Sequence, residues 1–189
     1  MKDGLHRYPY RHYQPNHLTE DEIERNKHAI LEFLSSVKRK NMYKVINYLN
    51  RTPFFYAPNA VSGDRHHKWP GGLAQHCLGV CRLMLQHKEL GRDSAIIVGL
   101  LHDISKANIY EHRPDGTWAK RLKPLHWTGD GYRSYKILTT MLQLELSEDE
   151  VKAIRYHMHS KNDVPSDMLQ NQLYMAIREC DKTNSGCGD

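Results

Sequence analysis

His102 and Asp103 stand side by side directly after Ala95 to Leu101, a run with no polar side chain. A carboxylate carried into such surroundings is costly unless it is paired or bound to a metal. His76 precedes Val80 by four residues and Leu83 by seven, helical spacing that turns its imidazole toward a core. Asp181 follows Ile177 by four residues, on the continuation of an apolar stripe. Each of these side chains alone reads as an ordinary hydrogen-bonded residue. Two imidazoles and two carboxylates directed at one core suit a divalent cation, which accepts borderline nitrogen and hard oxygen donors. His76, His102, Asp103 and Asp181 are therefore the predicted metal ligands. The donor set does not distinguish Mn, Fe, Co, Ni, Mg or Zn.

The elements that must position these residues are helices. Thr19 and Glu22 form a capping box ahead of Ile23, Ile30, Leu31 and Leu34, and Met42, Val45, Ile46 and Leu49 repeat the spacing. From Thr52 to Gly72 the chain is rich in Pro, Gly and Asn and reads as a long loop. Leu73, Cys77, Val80 and Met84 mark a helix to about Gln86, whereas the Ala95–Leu101 run is buried all round and suits a helix or a strand. A polar stretch from Ala107 to about Trp127 interrupts the pattern before Tyr135, Leu138, Met141 and Leu142 mark the next helix. A second capping box, Ser147 with Glu150, precedes Val151, Ile154 and Met158. The last helix is expected from Pro165-Ser166, with Leu169, Leu173, Ala176, Ile177 and Cys180 as its stripe. No stretch alternates at period two for long enough to predict a sheet. The expected fold is all-α: an arm over 1–18, one helical domain over 19–184 and a tail over 185–189.

Composition narrows the function classes. The 189 residues include 39% hydrophobic ones and suit one domain of ordinary size. A membrane span needs ~20 apolar residues, and the longest run falls far short. The first residues are polar with no apolar core of a secretory leader, so a cytoplasmic protein is expected. Four cysteines are too few and too uneven for a disulfide framework; Cys77 and Cys81 read as small buried hydrophobes. The formal charge of +5 favours anionic partners without naming one, and Val37 to Lys40 reads as a solvated helix end. Histidine is the outlier, at 13 residues.

The set His76, His102-Asp103 and Asp181 resembles the H…HD…D signature of the HD-domain superfamily of metal-dependent phosphohydrolases. His67 to His76 (HKWPGGLAQH) is similar to the H-x3-GGL-x2-H entry of one branch, which includes HD-type 3′–5′ exoribonucleases; HD-type relaxases are similar there. Leu100 to Lys106 looks like its LLHDxxK, and Ala153 to Met158 like its AIRWHM. The resemblance spans about Arg65 to Asn184 and implies an HD-type helical bundle built around a metal site.

It also implies roles. A cation held by the four ligands would polarise a phosphoryl oxygen and lower the pKa of a water toward neutrality. Asp103 would ligate the cation and orient that water. Lys106, three residues on, would share its face on a continuing helix and meet phosphate as a point charge. His157 would protonate the leaving oxygen, contact phosphate or join a second metal. His67, His126 and Arg133 are further candidates for contacting substrate. Related members carry a GHGEKS segment where this chain has Gly129-Asp130-Gly131-Tyr132-Arg133-Ser134, so Asp130 replaces a histidine that helps hold a second metal. Either Asp130 ligates a hard cation, His126 supplies the imidazole, or the second site is lost. The expected activity is hydrolysis of a phosphoester in a nucleotide or short oligonucleotide. A di-iron oxygenase of the same fold and a non-catalytic nucleic-acid-binding or regulatory module are the alternatives. The substrate and the oligomeric state are not readable.

Overall fold

In the computed structural model, residues 17–60, 67–121, 129–160 and 162–185 are described. Both capping boxes form. The Glu22 N–H donates to Thr19 Oγ1 and the Thr19 N–H donates to Glu22 Oε2, starting α1 (Glu20–Ser36). Ser147 and Glu150 exchange the same pair of bonds ahead of α6 (Glu148–Tyr156). Between them lie α2 (Met42–Arg51), α3 (Gly72–Met84), α4 (Arg92–Leu101) and α5 (Asp130–Lys136). A π-helical turn, Ile137–Met141, continues α5. The chain closes on α7 (Gln172–Asn184).

The core sits where α3 and α4 pack on each other and on α1, α6 and α7. Its largest buried side chains include Phe54, Phe55, Leu73, Leu78, Met84, Ile96, Ile97, Leu100 and Tyr174. The Ala95–Leu101 run is helical and buried on every side, which settles the choice its periodicity left open. Gly99 permits the closest approach: a Cβ there would lie 2.6 Å from the Cα of Cys81 on α3. Cys77 and Cys81 are fully buried free thiols, as their apolar setting predicts. No helix among the described residues is long and apolar enough to cross a membrane.

Three expectations are corrected. The polar stretch after Ala107 holds a small antiparallel hairpin, β1 (Tyr110–His112) with β2 (Trp118–Lys120), paired from Tyr110–Lys120 to His112–Trp118. Three-residue strands are too short to show an alternation. The last helix starts later than Pro165-Ser166. Ser166–Gln170 is a 3-10 turn, and α7 begins after Asn171, whose side chain accepts the Tyr174 N–H. The Val37–Lys40 segment is a helix end, solvated at Lys38 and Lys40, but not throughout: Val37 is buried and Arg39 Nη2 lies 3.0 Å from the buried Glu150. The same Glu150 oxygen accepts the Ser94 hydroxyl at 2.7 Å. One carboxylate thus ties together the segment after α1, the start of α4 and the start of α6.

Candidate metal centre

Four helices converge on one polar pocket in the core. His76 lies in the first half of α3, and Asp181 lies in the last turns of α7. His102 caps the C-terminus of α4, and His157 caps that of α6. Asp103 opens the 3-10 turn Ile104–Asn108. Helix C-termini carry partial negative charge, so the ends of α4 and α6 favour a cation there before any side chain is counted.

His76 Nε2 and His102 Nε2 are 3.3 Å apart. Asp181 Oδ1 lies 3.2 Å from His76 Nε2, and Asp103 Oδ2 lies 3.7 Å from His76 Nε2 and 3.5 Å from His102 Nε2. On its other side Asp103 Oδ1 is 3.5 Å from His157 Nε2. The donors therefore form two overlapping trios, His76–His102–Asp181 and His102–Asp103–His157, each with ligand atoms within 4.8 Å of one another. His102 belongs to both. His76, His102, Asp103 and His157 are all buried, while the Asp181 side chain keeps 20% of its exposure.

Hydrogen bonding sets which ring nitrogens are available. A carbonyl only accepts, so His102 Nδ1 must donate to Gly99 O at 3.0 Å and His157 Nδ1 to Ile154 O at 2.8 Å. The remaining ring nitrogens point inward, His102 Nε2 toward His76 Nε2 at 3.3 Å and His157 Nε2 toward Asp103 Oδ1 at 3.5 Å. Asp103 Oδ1 and His157 Nε2 are buried without a hydrogen-bond partner. Orphaned polar atoms of this kind call for a ligand, and imidazole nitrogen with carboxylate oxygen is a divalent-cation donor set. The residues fit a metal.

Lys106 completes the pocket by a different local route from the one its spacing suggests. The α-helix does not continue past Leu101, yet the 3-10 turn still brings Lys106 Nζ to 2.7 Å from Asp103 Oδ2. Its second partner is Asn59 Oδ1 at 2.9 Å. Asn59 was not singled out from the sequence, because an Asn in a loop gives no signal beyond a turn. His67 is buried, with its ring 5.4 Å from that of His76. Its backbone takes a positive φ of 60°, and its carbonyl accepts the Asn59 N–H at 2.9 Å. Arg133 is half-buried on α5 and acts electrostatically on Asp130 and Tyr48.

Asp130 opens α5 and has one buried oxygen with no hydrogen-bond partner, but it belongs to neither donor trio. His126, His66, His6, His12, Cys187, the arm up to residue 16 and the tail over 186–189 lie outside the described residues. His159 is exposed, its ring edge-on to Tyr156, and belongs to neither donor trio. Asn184 was also missed: its Nδ2 lies 3.0 Å from His76 Nδ1, and a polar residue at a helix end ordinarily reads as surface.

Charge follows geometry. Burial pushes His102 down to about 4. Asp103 and Asp181 are held below the usual carboxylate range despite burial, Asp103 chiefly by the Lys106 ammonium and Asp181 by its bond to His76. Burial also works against the Lys106 charge, yet Asp103 raises its pKa. His157 is likewise raised against burial by Asp103. Asp130 is raised by burial and by the negative charge of Asp103. Burial raises the thiol of Cys77 well above its ordinary value and pushes Cys81 up to about 12, so neither offers a thiolate.

Neither the curated proteins nor the solved structures yield a match to the chain. The family model of the HD domain matches residues 73–183, more than half of the chain, and that span contains His76, the His102-Asp103 pair and Asp181. The chain belongs to the HD-domain family, which places it in the metal-dependent hydrolase superfamily.

Proposed function

We propose that the protein is a metal-dependent phosphohydrolase that cleaves a phosphoester of a nucleotide or short oligonucleotide. The observation that carries this reading is the pairing at Asp103. Oδ2 of this buried carboxylate lies 2.7 Å from the Lys106 ammonium and 3.5 and 3.7 Å from Nε2 of His102 and His76, while Oδ1 lies 3.5 Å from His157 Nε2. A site built for a cation and a phosphate needs both charges at contact distance.

His76, His102, Asp103 and Asp181 would hold the cation, and His157 and Asp130 are candidates for a second one. A divalent ion there supplies Lewis acidity and a more acidic water. Asp103 accepts a hydrogen bond from the attacking water and aligns it. Lys106 has three donors, two of them engaged by Asp103 and Asn59, and directs the third at a phosphoryl oxygen. His157, kept protonatable by Asp103, gives its Nε2 proton to the leaving oxygen. His67, whose ring lies 5.4 Å from that of His76, and Arg133 are the further candidates for contacting the substrate.

The test is a panel of bis-p-nitrophenyl phosphate, nucleotide monophosphates, cyclic nucleotides and short RNA and DNA, assayed with Mn²⁺, Co²⁺, Ni²⁺, Mg²⁺ and Zn²⁺. Hydrolysis that requires the metal and disappears in Asp103→Ala is expected. Hydrolysis that survives Asp103→Ala would overturn the mechanism.

A further inference from the structure

Tyr132 and Tyr135 lie three residues apart on α5 and so share one helix face, with ring centroids 5.8 Å apart. Arg155 on α6 reaches both. Its guanidinium stands 5.3 Å from the Tyr132 centroid, 5.8 Å from that of Tyr135 and 5.1 Å from that of the adjacent Tyr156. The Lys136 ammonium lies 5.7 and 5.6 Å from the Tyr132 and Tyr135 centroids. Gly131 lets the two helices meet, since a Cβ there would lie 2.6 Å from the Arg155 carbonyl oxygen.

Core packing accounts for only part of this cluster. Tyr135 and Tyr156 lean on the core, whereas Tyr132 is not among the side chains packed against it. The three rings and Arg155 are partly exposed, and Lys136 is exposed. Among the described residues no carboxylate pairs with Lys136 or Arg155, and the three tyrosine hydroxyls make no hydrogen bond. A ring face attracts a cation without neutralising it, so the surface keeps its positive charge beside aromatic rings. Phosphates strung between unpaired bases complement both features, because bases stack on aromatic and guanidinium planes while the backbone meets the cations. An acidic peptide would match the charge and leave the rings unused.

The cluster adjoins the metal centre. The Ser105 hydroxyl donates to the Asp130 carbonyl at 3.1 Å and the Ser105 N–H to Ser134 Oγ at 3.2 Å, which pins α5 to the turn carrying Lys106. On α6, Tyr156 directly precedes His157. Helical rise carries α5 about 9 Å from Asp130 to Lys136, the length of roughly two or three stacked nucleotides at about 3.4 Å each.

We propose that Tyr132, Tyr135, Lys136, Arg155 and Tyr156 form a stacking platform for a single-stranded nucleic acid whose end enters the metal centre. The proposal rests on the phosphohydrolase reading and narrows its substrate to a strand longer than one nucleotide.

The experiment measures fluorescence anisotropy of labelled oligouridylate and oligothymidylate on the chelator-treated full chain, beside an abasic strand of equal length and a duplex. Wild type should bind the base-bearing strands about 10-fold or more tighter than the abasic one, and tighter than the duplex. Tyr132→Ala should weaken strand binding about 10-fold, while Tyr132→Phe, which keeps the ring, should bind as wild type does. Lys136→Gln should lower the slope of log affinity against log salt by about 0.7. Equal binding of abasic and base-bearing strands, equal competition by polyglutamate, or an unchanged affinity in a folded Tyr132→Ala would overturn the platform. Metal-dependent hydrolysis of mononucleotides without strand binding overturns the platform and keeps the hydrolase. Base-dependent strand binding with no hydrolysis of any phosphoester keeps the platform and overturns the hydrolase.

Discussion

The Lys106 ammonium lies 2.7 Å from Asp103 Oδ2, with the carboxylate 2% and the lysine 12% exposed. Two opposite charges this far from water are held by each other, and removing one strands the other. Lys106→Met is therefore expected to destabilise the chelator-treated protein by about 3–5 kcal/mol. The loss should be smaller when a divalent cation is present, since the cation neutralises the same carboxylate. Chemical denaturation of wild type and variant, with and without metal, measures both numbers.

Acidification and alkalinisation should each weaken the metal-free fold, through different histidines. His102 is pushed down to about 4 by burial. Below about 6.5 the unfolded chain takes up a proton there that the folded protein refuses, so stability falls as pH drops through that window. His157 has the opposite sign, because Asp103 raises its pKa in the folded state. Its contribution is complete below about 6.5 and is lost as pH rises through the raised value. Thermal unfolding midpoints of chelator-treated protein should peak near these histidine values, and His157→Gln should remove the alkaline decline while leaving the acid one.

Glu150 is a stability residue with no part in the chemistry. It completes the α6 capping box and accepts from Ser94 and Arg39 while fully buried. Glu150→Ala should cost about 3 kcal/mol, which lowers the unfolding midpoint by roughly 6–12 °C for a chain of this size. Metal stoichiometry should not change, since the pocket lies at the other end of α6. Parallel calorimetry and elemental analysis of the variant check the two halves of this statement.

The contrast between Glu150 and His102 shows what could be read from the residues alone. His102-Asp103 was legible because two ionisable groups end an unbroken apolar run, a local signal that needs no tertiary information. His76 and Asp181 were legible by helical phase. The capping role of Glu150 was equally local, but its bonds to Arg39 and Ser94 span 111 and 56 positions and follow only from packing. Asn59 and Asn184 are invisible for the same reason, since each meets its partner across the fold. Lys106 reached Asp103 by a 3-10 turn where a continuing helix was expected, because side chains three apart stay neighbours in either geometry. The hairpin and the late start of α7 escaped because short strands and 3-10 turns carry no periodicity.

The central claim is that the His76, His102, Asp103 and Asp181 cluster binds a divalent cation. Calorimetric titration of chelator-treated wild type and His102→Gln with Mn²⁺, Co²⁺ and Zn²⁺ tests it most directly, because His102 is shared by both donor trios. Saturable binding of at least one ion per chain, lost in a folded His102→Gln, is the expected result. Absence of binding in wild type, or an unchanged isotherm in the variant, would contradict the account.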